Sequence, residues 1–194
     1  MSSIRGSKTE ANLLAAFAGE SQARNRYTFF ASQAKKEGFV QIARLFEETA
    51  HQEKEHAERL FHFLEGGPVA VAATFPAGRV GRTEENLAAS ADGEREEYKH
   101  MYPNFAEVAK DEGFGVIATA LEAIAVAEQH HEERFLALLQ ELREENLFRG
   151  KGEVLWECLN CGYVHRDSVA PLLCPACAHP QAYFARKRNF GLVR

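Results

Sequence analysis

Two short stretches of the chain place the same acidic and imidazole groups at the same relative positions. "EKEHAER", residues 53–59, is matched by "EQHHEER", residues 128–134, at an offset of 75. Each contains a Glu-x-x-His pair, and on a helix this spacing puts the carboxylate and the imidazole on one face. Carboxylate oxygens and imidazole nitrogens are both ligands of first-row transition metals. The repetition therefore predicts two half-sites of one metal centre.

Acidic residues interrupt the apolar stripe of every predicted helix. Carboxylates in an apolar interior repel one another and lose hydration, so they require a counter-charge. One Glu from each of two helices and a Glu-x-x-His from each of the other two is the ligand set of di-iron and di-manganese carboxylate bundles. The plain alternative is a set of solvated surface residues. The predicted inward-facing residues are Glu20, Glu53, His56, Glu94, Glu97, Glu128 and His131.

Glu97 is one carboxylate more than the symmetric ligand set requires, because the repeat places Ala23 at the equivalent position. A surface position in the acid-rich "GEREEY" is the alternative. Ferric iron prefers an anionic oxygen ligand and ferrous iron accepts a neutral imidazole, so we hypothesise that Glu97 and His56 exchange at one iron as its oxidation state changes. Tyr27 and Tyr102 correspond in the repeat, and they are either hydrogen-bond donors to ligand carboxylates or ordinary core residues.

All four cysteines lie in a short C-terminal stretch, as a C-x-x-C-G-Y and a C-P-x-C knuckle with twelve residues between the inner cysteines. Paired knuckles of this kind form a tetrahedral four-thiolate site that takes either iron or zinc. The spacing does not choose between an electron-transfer iron and a structural zinc ribbon. A tail of this size depends on its metal to fold. The predicted ligands are Cys158, Cys161, Cys174 and Cys177.

Helical periodicity extends over most of residues 7–149 and is interrupted at 66–82. The matching turns "AKKEGF" and "AKDEGF" indicate a duplicated helical hairpin, with one residue gained where the offset rises from 74 to 75. The connection at 66–82 can reach about 56 Å, more than the roughly 37 Å of the second helix, which favours a four-helix bundle with one long crossover. Helices are predicted from about Lys8 to Glu37, Val40 to Leu64, Thr83 to Glu112 with a kink or a local break at Pro103, and Val116 to Glu145.

The composition is that of a globular protein, with 194 residues, 45% of them hydrophobic, and a net charge of -5. No apolar run approaches the ~20 residues of a bilayer span, and the N-terminus lacks an apolar signal region, so we expect neither membrane insertion nor export. No basic cluster indicates nucleic-acid binding, and no glycine-rich nucleotide motif predicts NAD(P)H binding. Cysteines confined to one tail are typical of a metal site in a reducing compartment.

These motifs together resemble the rubrerythrin family over nearly the whole chain. The resemblance rests on "FAGESQARNRY", "EKEH", "GEREEY", "AEQHHEERF" and the two cysteine knuckles. It implies an all-α ferritin-like di-iron four-helix bundle over residues 1–149 and a rubredoxin-like β domain over 150–194. The roles that it implies are Glu53 and Glu128 bridging the irons, Glu20 terminal beside Glu97 or His56, and Glu94 with His131 at the other iron.

The resemblance also implies an activity, the reduction of hydrogen peroxide to water by a cytoplasmic enzyme of oxidative-stress defence. Two non-haem irons would supply two electrons, and the four-cysteine iron would return them singly from an external donor such as rubredoxin or an NAD(P)H-dependent reductase. It implies a homodimer in which one subunit's four-cysteine domain faces the partner's di-iron site. Ala178, where rubredoxins usually carry Gly, and the short spacing between the knuckles depart from rubredoxins proper and leave the redox tuning open.

Three other functions compete with this one. A ferritin-like ferroxidase or iron-storage protein explains the bundle but gives the cysteine tail no purpose. An oxygenase that activates O2 needs a substrate pocket beside the irons, and the sequence shows none. A peroxide sensor with a structural zinc tail needs a partner surface that the sequence does not identify.

Overall fold

The computed structural model describes residues 3–187, so the ends of both predicted domains, residues 1–2 and 188–194, lie outside the described residues. The predicted all-α bundle with one long crossover is confirmed, because the hairpins are joined by residues 62–82, which form no helix or strand. No helix within 3–187 is long and apolar enough for a bilayer span. The helical elements are α1 (Lys8–Lys36), α2 (Val40–Phe61), α3 (Thr83–Glu96), a π-helical turn (Glu97–Met101), α4 (Tyr102–Asp111) and α5 (Gly115–Arg143).

The two E-G-F turns close the hairpins in the same way. Gly38 and Gly113 adopt φ of 85° and 84°, left-handed conformations that a glycine reaches without strain. In each turn the amide of the following Phe donates to the carbonyl five residues earlier, at 2.8 and 2.7 Å. These are the bonds of a glycine-terminated helix end. The repeated sequence therefore encodes a repeated helix stop.

The glutamate of each E-G-F turn also caps the first helix of the other hairpin. Glu37 accepts from the amide of Thr83 at 3.1 and 3.2 Å. Glu112 accepts from the amides of Lys8 and Thr9 at 3.0 and 2.8 Å. The first amides of a helix lack intrahelical partners and favour negative charge. These contacts join the hairpins end to end, and the sequence analysis did not anticipate them.

The predicted irregularity in the third helix is displaced from Pro103. The structure has a π-helical turn at Glu97–Met101, and Pro103 lies in the first turn of α4, where its missing N–H is tolerated. A π-turn accommodates an additional residue in a helix. The repeat offset changes between Glu94 and Tyr102, so the gained residue is absorbed in this turn.

Five predicted helix ends shift slightly, and two C-terminal ends move by one residue, to Lys36 and Asp111. The second helix ends at Phe61 rather than Leu64, because Phe63 and Leu64 make three-residue turn bonds, from their amides to the carbonyls of Leu60 and Phe61. The last helix begins at Gly115 and ends at Arg143 rather than extending from Val116 to Glu145. Glu145 has a φ of 55°, which is incompatible with a right-handed helix.

The bundle interior is divided into two apolar clusters. One contains Tyr27, Phe46 and Phe135, and the other contains Leu60, Tyr102 and Leu121. On every helix the predicted ligands fall between residues of one cluster and residues of the other. The two clusters therefore pack above and below a polar layer, and shield it from water at both ends.

The C-terminal region forms a small antiparallel sheet with strand order β2-β1-β3. Its core is limited to Trp156, Phe184, Ala170 and two cysteines. Arg186 donates to the Glu141 carboxylate of α5 at 2.7 Å, which fixes the sheet against the bundle. The strands are β1 (Arg149–Cys158), β2 (Val164–Val169) and β3 (Phe184–Arg186).

Candidate metal centres

The polar layer of the bundle brings together six of the seven predicted ligands. They form two groups, and the ligand atoms within each lie within 4.8 Å of one another. All six except His56 are nearly inaccessible to water. The groups are Glu20, Glu53, His56 and Glu128, and Glu53, Glu94, Glu128 and His131.

Glu53 and Glu128 belong to both groups, and each presents one oxygen to each imidazole. Around His56 Nδ1, Glu53 Oε2 lies at 3.2 Å and Glu128 Oε1 at 2.9 Å. Around His131 Nδ1, Glu53 Oε1 lies at 3.0 Å and Glu128 Oε2 at 2.7 Å. The remaining carboxylates are divided between the groups, with Glu20 near His56 at 3.8 Å and Glu94 near His131 at 3.6 Å.

Two buried tyrosines fix the carboxylates that belong to one group only. The hydroxyl of Tyr102 donates to Glu20 Oε1, and that of Tyr27 donates to Glu94 Oε1. In both glutamates the other oxygen, Oε2, is buried and has no hydrogen-bond partner. Each tyrosine therefore orients its carboxylate so that one oxygen faces the ligand layer.

The ligand layer fits a pair of cations, because its atoms converge without satisfying one another. Buried atoms without a hydrogen-bond partner include both oxygens of Glu128, Glu53 Oε1 and His131 Nδ1. These atoms lie close together, but they are not aligned as hydrogen bonds, as expected of atoms directed at a common centre. Buried polar atoms left in this state are costly. Bound metal ions would satisfy all of them at once.

The protonation equilibria of the metal-free site are strongly displaced. Burial and the charge of Glu53 raise the pKa of Glu20 to about 7. The same two causes raise the pKa of Glu94 well above its usual range. Burial lowers the pKa of His131, but its contacts with Glu128 and the other carboxylates outweigh this effect and raise it to about 12. A concentration of buried negative charge is what a pair of divalent ions would neutralise.

Glu97, the seventh predicted ligand, belongs to neither group. It is the first residue of the π-turn and is half-buried. Burial and the charges of Glu94 and Glu20 raise its pKa well above the usual range, so its carboxylate borders the ligand layer. The structure therefore has His56 within the first group and Glu97 beside it.

The four cysteines form a compact cluster with the dimensions of a metal site. Cys158 and Cys177 have sulfurs 3.7 Å apart, as do Cys161 and Cys174. Ligands at about 2.3 Å from a tetrahedral metal are separated by about 3.8 Å, whereas a disulfide requires about 2.05 Å. All four sulfurs lie within 4.8 Å of one another. The cluster fits a tetrahedral metal and excludes two disulfides.

The two knuckles differ at one backbone position. Gly162 amide donates to Cys158 carbonyl, and Ala178 amide donates to Cys174 carbonyl, both at 2.8 Å. Gly162 has φ of 76° and Ala178 has φ of 55°. The departure from the rubredoxin pattern noted in the sequence therefore places an alanine in a left-handed conformation.

Other residues add detail that the sequence analysis lacked. Four histidines of the bundle lie outside the ligand layer and are exposed, namely His51, His62, His100 and His130. A second polar pair, Arg95 and Glu132, adjoins the ligand layer with a distance of 2.5 Å between Nε and Oε1. The sequence marks this pair only through the internal repeat, because the equivalent positions of the first hairpin carry no charged residues.

Together the bundle and its tail define a class of protein: a ferritin-like carboxylate bundle with the residues of a dinuclear metal centre, joined to a four-cysteine metal site. The family profile "Rubrerythrin" matches residues 11–139, and "Rubrerythrin, rubredoxin-like domain" matches residues 156–185. The chain belongs to the rubrerythrin family.

Individual relatives cover almost the full length of the chain. A rubrerythrin of Porphyromonas gingivalis is 60% identical, over 94% of this chain and 91% of the relative. A rubrerythrin of Nitratidesulfovibrio vulgaris is 56% identical, over 95% and 96%. The structure of fully reduced, all-ferrous nigerythrin is 32% identical and superimposes with a TM-score of 0.63, over 95% of this chain and 91% of that one.

Proposed function

We propose that the protein is a non-haem di-iron peroxidase that reduces hydrogen peroxide to water. The observation that carries the proposal is the presence, in one chain, of a dinuclear carboxylate site and a four-thiolate site. Two irons, when bound, supply the two electrons that cleave the O–O bond, and hydrogen peroxide with two protons and two electrons gives two water molecules. The four-thiolate iron, a one-electron carrier, suits the re-reduction of such a site.

The proposed coordination follows the division of the carboxylates. Glu53 and Glu128 would bridge, because each presents one oxygen to each imidazole. Glu20 and His56 would complete one half-site, and Glu94 and His131 the other. Tyr102 and Tyr27 would hold the outer carboxylates in place, so that these keep their orientation when the charge of the site changes. The exchange of His56 for Glu97 on oxidation is part of this proposal.

The proposed entry for peroxide is the side of the ligand layer at His56. This imidazole is 16% exposed, whereas the other five ligands of the two groups are 4% exposed or less. It borders an open groove of about 560 Å³ that Arg59, Val116 and Ala120 also line. A molecule as small as hydrogen peroxide fits such a route.

The electron path is proposed to start at the four-cysteine site. Its domain contacts the bundle where Arg44 of α2 donates to the Leu159 carbonyl in the first knuckle. The implied homodimer would add a second route, from one subunit's cysteine domain to the partner's di-iron site. We further propose a cytoplasmic location, which suits unpaired thiols, and an external donor that is a rubredoxin or an NAD(P)H-dependent reductase.

The test is a single turnover. The protein is loaded with iron, reduced anaerobically and mixed with stoichiometric peroxide or with O2, while the absorbance of the ferric thiolate centre is followed. The proposal expects the band to recover rapidly with peroxide and much more slowly with O2. A variant with Cys161→Ser and Cys174→Ser serves as the control, because it keeps the bundle and loses the thiolate carrier.

Three outcomes would contradict the proposal. An absent ferric thiolate band in iron-loaded protein indicates a structural zinc tail. Equal rates with peroxide and O2 indicate an oxidase or oxygenase. The two sites together would hold three iron ions per chain. Uptake of far more iron than this indicates storage.

A further inference from the structure

Packing of its own residues holds the π-turn that carries Glu97 only in part, through Met101, which contacts the apolar cluster around Tyr102. None of residues 97–101 is fully buried. The bonding pattern of a π-turn is less favourable than that of an α-helix, and such turns persist where surrounding contacts hold them. The turn therefore requires anchors on either side. At its C-terminal side, Tyr102 is completely buried and donates to Glu20.

The anchor on the N-terminal side is an ion pair between α3 and α5. Arg95, in the last turn of α3, donates through Nε to Glu132 Oε1 at 2.5 Å. Glu132 follows the ligand His131 in the chain, and its side chain is only 8% exposed. A second nitrogen of Arg95, Nη1, donates to Asp92 at 3.1 Å, which holds the guanidinium in place. A buried carboxylate with one cationic partner depends strongly on that partner.

The internal repeat supplies an independent argument. Arg95 corresponds to Ser21 and Glu132 to Ala57 in the first hairpin, as Glu97 corresponds to Ala23. Ser21 bonds only the carbonyl of its own helix, at Phe17. The ion pair, the additional residue and the additional carboxylate thus occur together in one half of the bundle and are all missing from the other.

We propose that Arg95 and Glu132 are a positioning pair, which fixes the π-turn and so holds Glu97 beside the ligand layer. The pair touches neither the ligand atoms nor the substrate route. It acts through the backbone that follows Arg95 and through Tyr98, a residue of the turn whose hydroxyl interacts with Glu132. The inference rests on the proposed ligand role of Glu97, but it does not depend on the peroxidase activity.

The test is amide hydrogen exchange of the peptide that covers residues 97–101, in wild type, Arg95→Ala and Glu132→Gln. A bond to a charged group is worth about one to two powers of ten in an equilibrium constant. We therefore expect the amides of the turn to exchange about tenfold faster in both variants. The matched control is Glu84→Gln, which removes the other ion pair between α3 and α5, Arg143–Glu84 at 2.8 Å, far from the turn.

A spectroscopic readout connects the turn to Glu97. The near-ultraviolet absorption of the oxidised, ferric bundle site, in which Glu97 is the proposed ligand, is compared among Glu132→Gln, Glu97→Ala and wild type. All three carry Cys161→Ser and Cys174→Ser, which removes the ferric thiolate band, and we expect the first two to show the same change. Arg95→Lys, which retains a cation, should restore the wild-type exchange rates at least in part. Exchange that is unchanged in Glu132→Gln, or equally accelerated in Glu84→Gln, overturns the positioning role. If exchange accelerates while the ferric absorption of Glu97→Ala stays that of wild type, the ligand role of Glu97 fails instead.

Discussion

Ala178→Gly should stabilise the four-cysteine domain, and Gly162→Ala should destabilise it. The two residues occupy equivalent positions in the knuckles, with φ of 55° and 76°. A left-handed conformation costs an L-residue about 1–2 kcal/mol relative to glycine. The greater conformational freedom of glycine in the unfolded chain offsets about 0.4–1 kcal/mol of this difference. The net effect expected for each substitution is therefore about 1 kcal/mol, with opposite signs.

Packing does not obscure this comparison. Ala178 is exposed, so removing its methyl group leaves no cavity. A Cβ added at Gly162 meets no atom within 4 Å, so that substitution changes only the backbone energy. The control is Ala176→Gly, at an exposed position without a positive φ in the same knuckle. It should destabilise by about 0.4–1 kcal/mol, because only the unfolded chain gains freedom.

The assay is urea unfolding of the iron-loaded protein at fixed total iron, followed by loss of the ferric thiolate absorbance. The far-ultraviolet helical signal reports the bundle separately and should not shift. A lower urea midpoint for Ala178→Gly, or an unchanged midpoint for Gly162→Ala, would refute the argument that backbone strain distinguishes the two knuckles.

Three further predictions concern the rest of the molecule. Tyr102→Phe should lower the stability of the metal-loaded bundle by about 1.5–3 kcal/mol, measured by thermal unfolding, because the buried Glu20 oxygen loses its donor. Bonds from the hydroxyl and amide of Thr9 hold the pKa of Glu112 below its usual 4.5. Glu112→Gln should therefore be less stable than wild type above pH 4.5, and this difference in stability should disappear as the pH falls further. Removal of the thiolate metal by a chelator should expose Trp156, the only tryptophan, to water, seen as a red shift of its fluorescence with the helical signal retained.

Each of these has a control and a contradicting result. Tyr183→Phe, at a half-buried tyrosine of the tail, should leave bundle stability unchanged. If Tyr102→Phe also leaves it unchanged, the Tyr102 hydroxyl does not stabilise the bundle. Glu107→Gln, on the exposed side of α4, should show no pH-dependent difference. If Glu112→Gln behaves in the same way, the cap does not stabilise the fold. Unchanged tryptophan fluorescence after complete metal removal means that the small core folds unaided.

The sequence by itself determined the fold class, and it indicated six of the residues that converge in the bundle layer and the four cysteines that cluster in the tail. Glu-x-x-His pairs within apolar stripes allow few physical interpretations, because buried carboxylates require a cation. The cysteine knuckles are equally restrictive, since their ligand spacing is local in the chain. The E-G-F repeat identified the hairpins because a helix end is also encoded locally, by a glycine with positive φ.

Only the tertiary structure decided how these local signals combine. Which oxygen of Glu53 or Glu128 faces which imidazole depends on the packing of four helices, and no spacing rule contains it. The additional residue of the second hairpin was visible as a change of offset, but whether it produced a kink at Pro103 or a π-turn depended on neighbouring helices. The contacts of Glu112 with Thr9 and of Arg95 with Glu132 join residues 103 and 37 positions apart. Long-range pairs of this kind arise when separate elements pack together, and for that reason a single sequence does not reveal them.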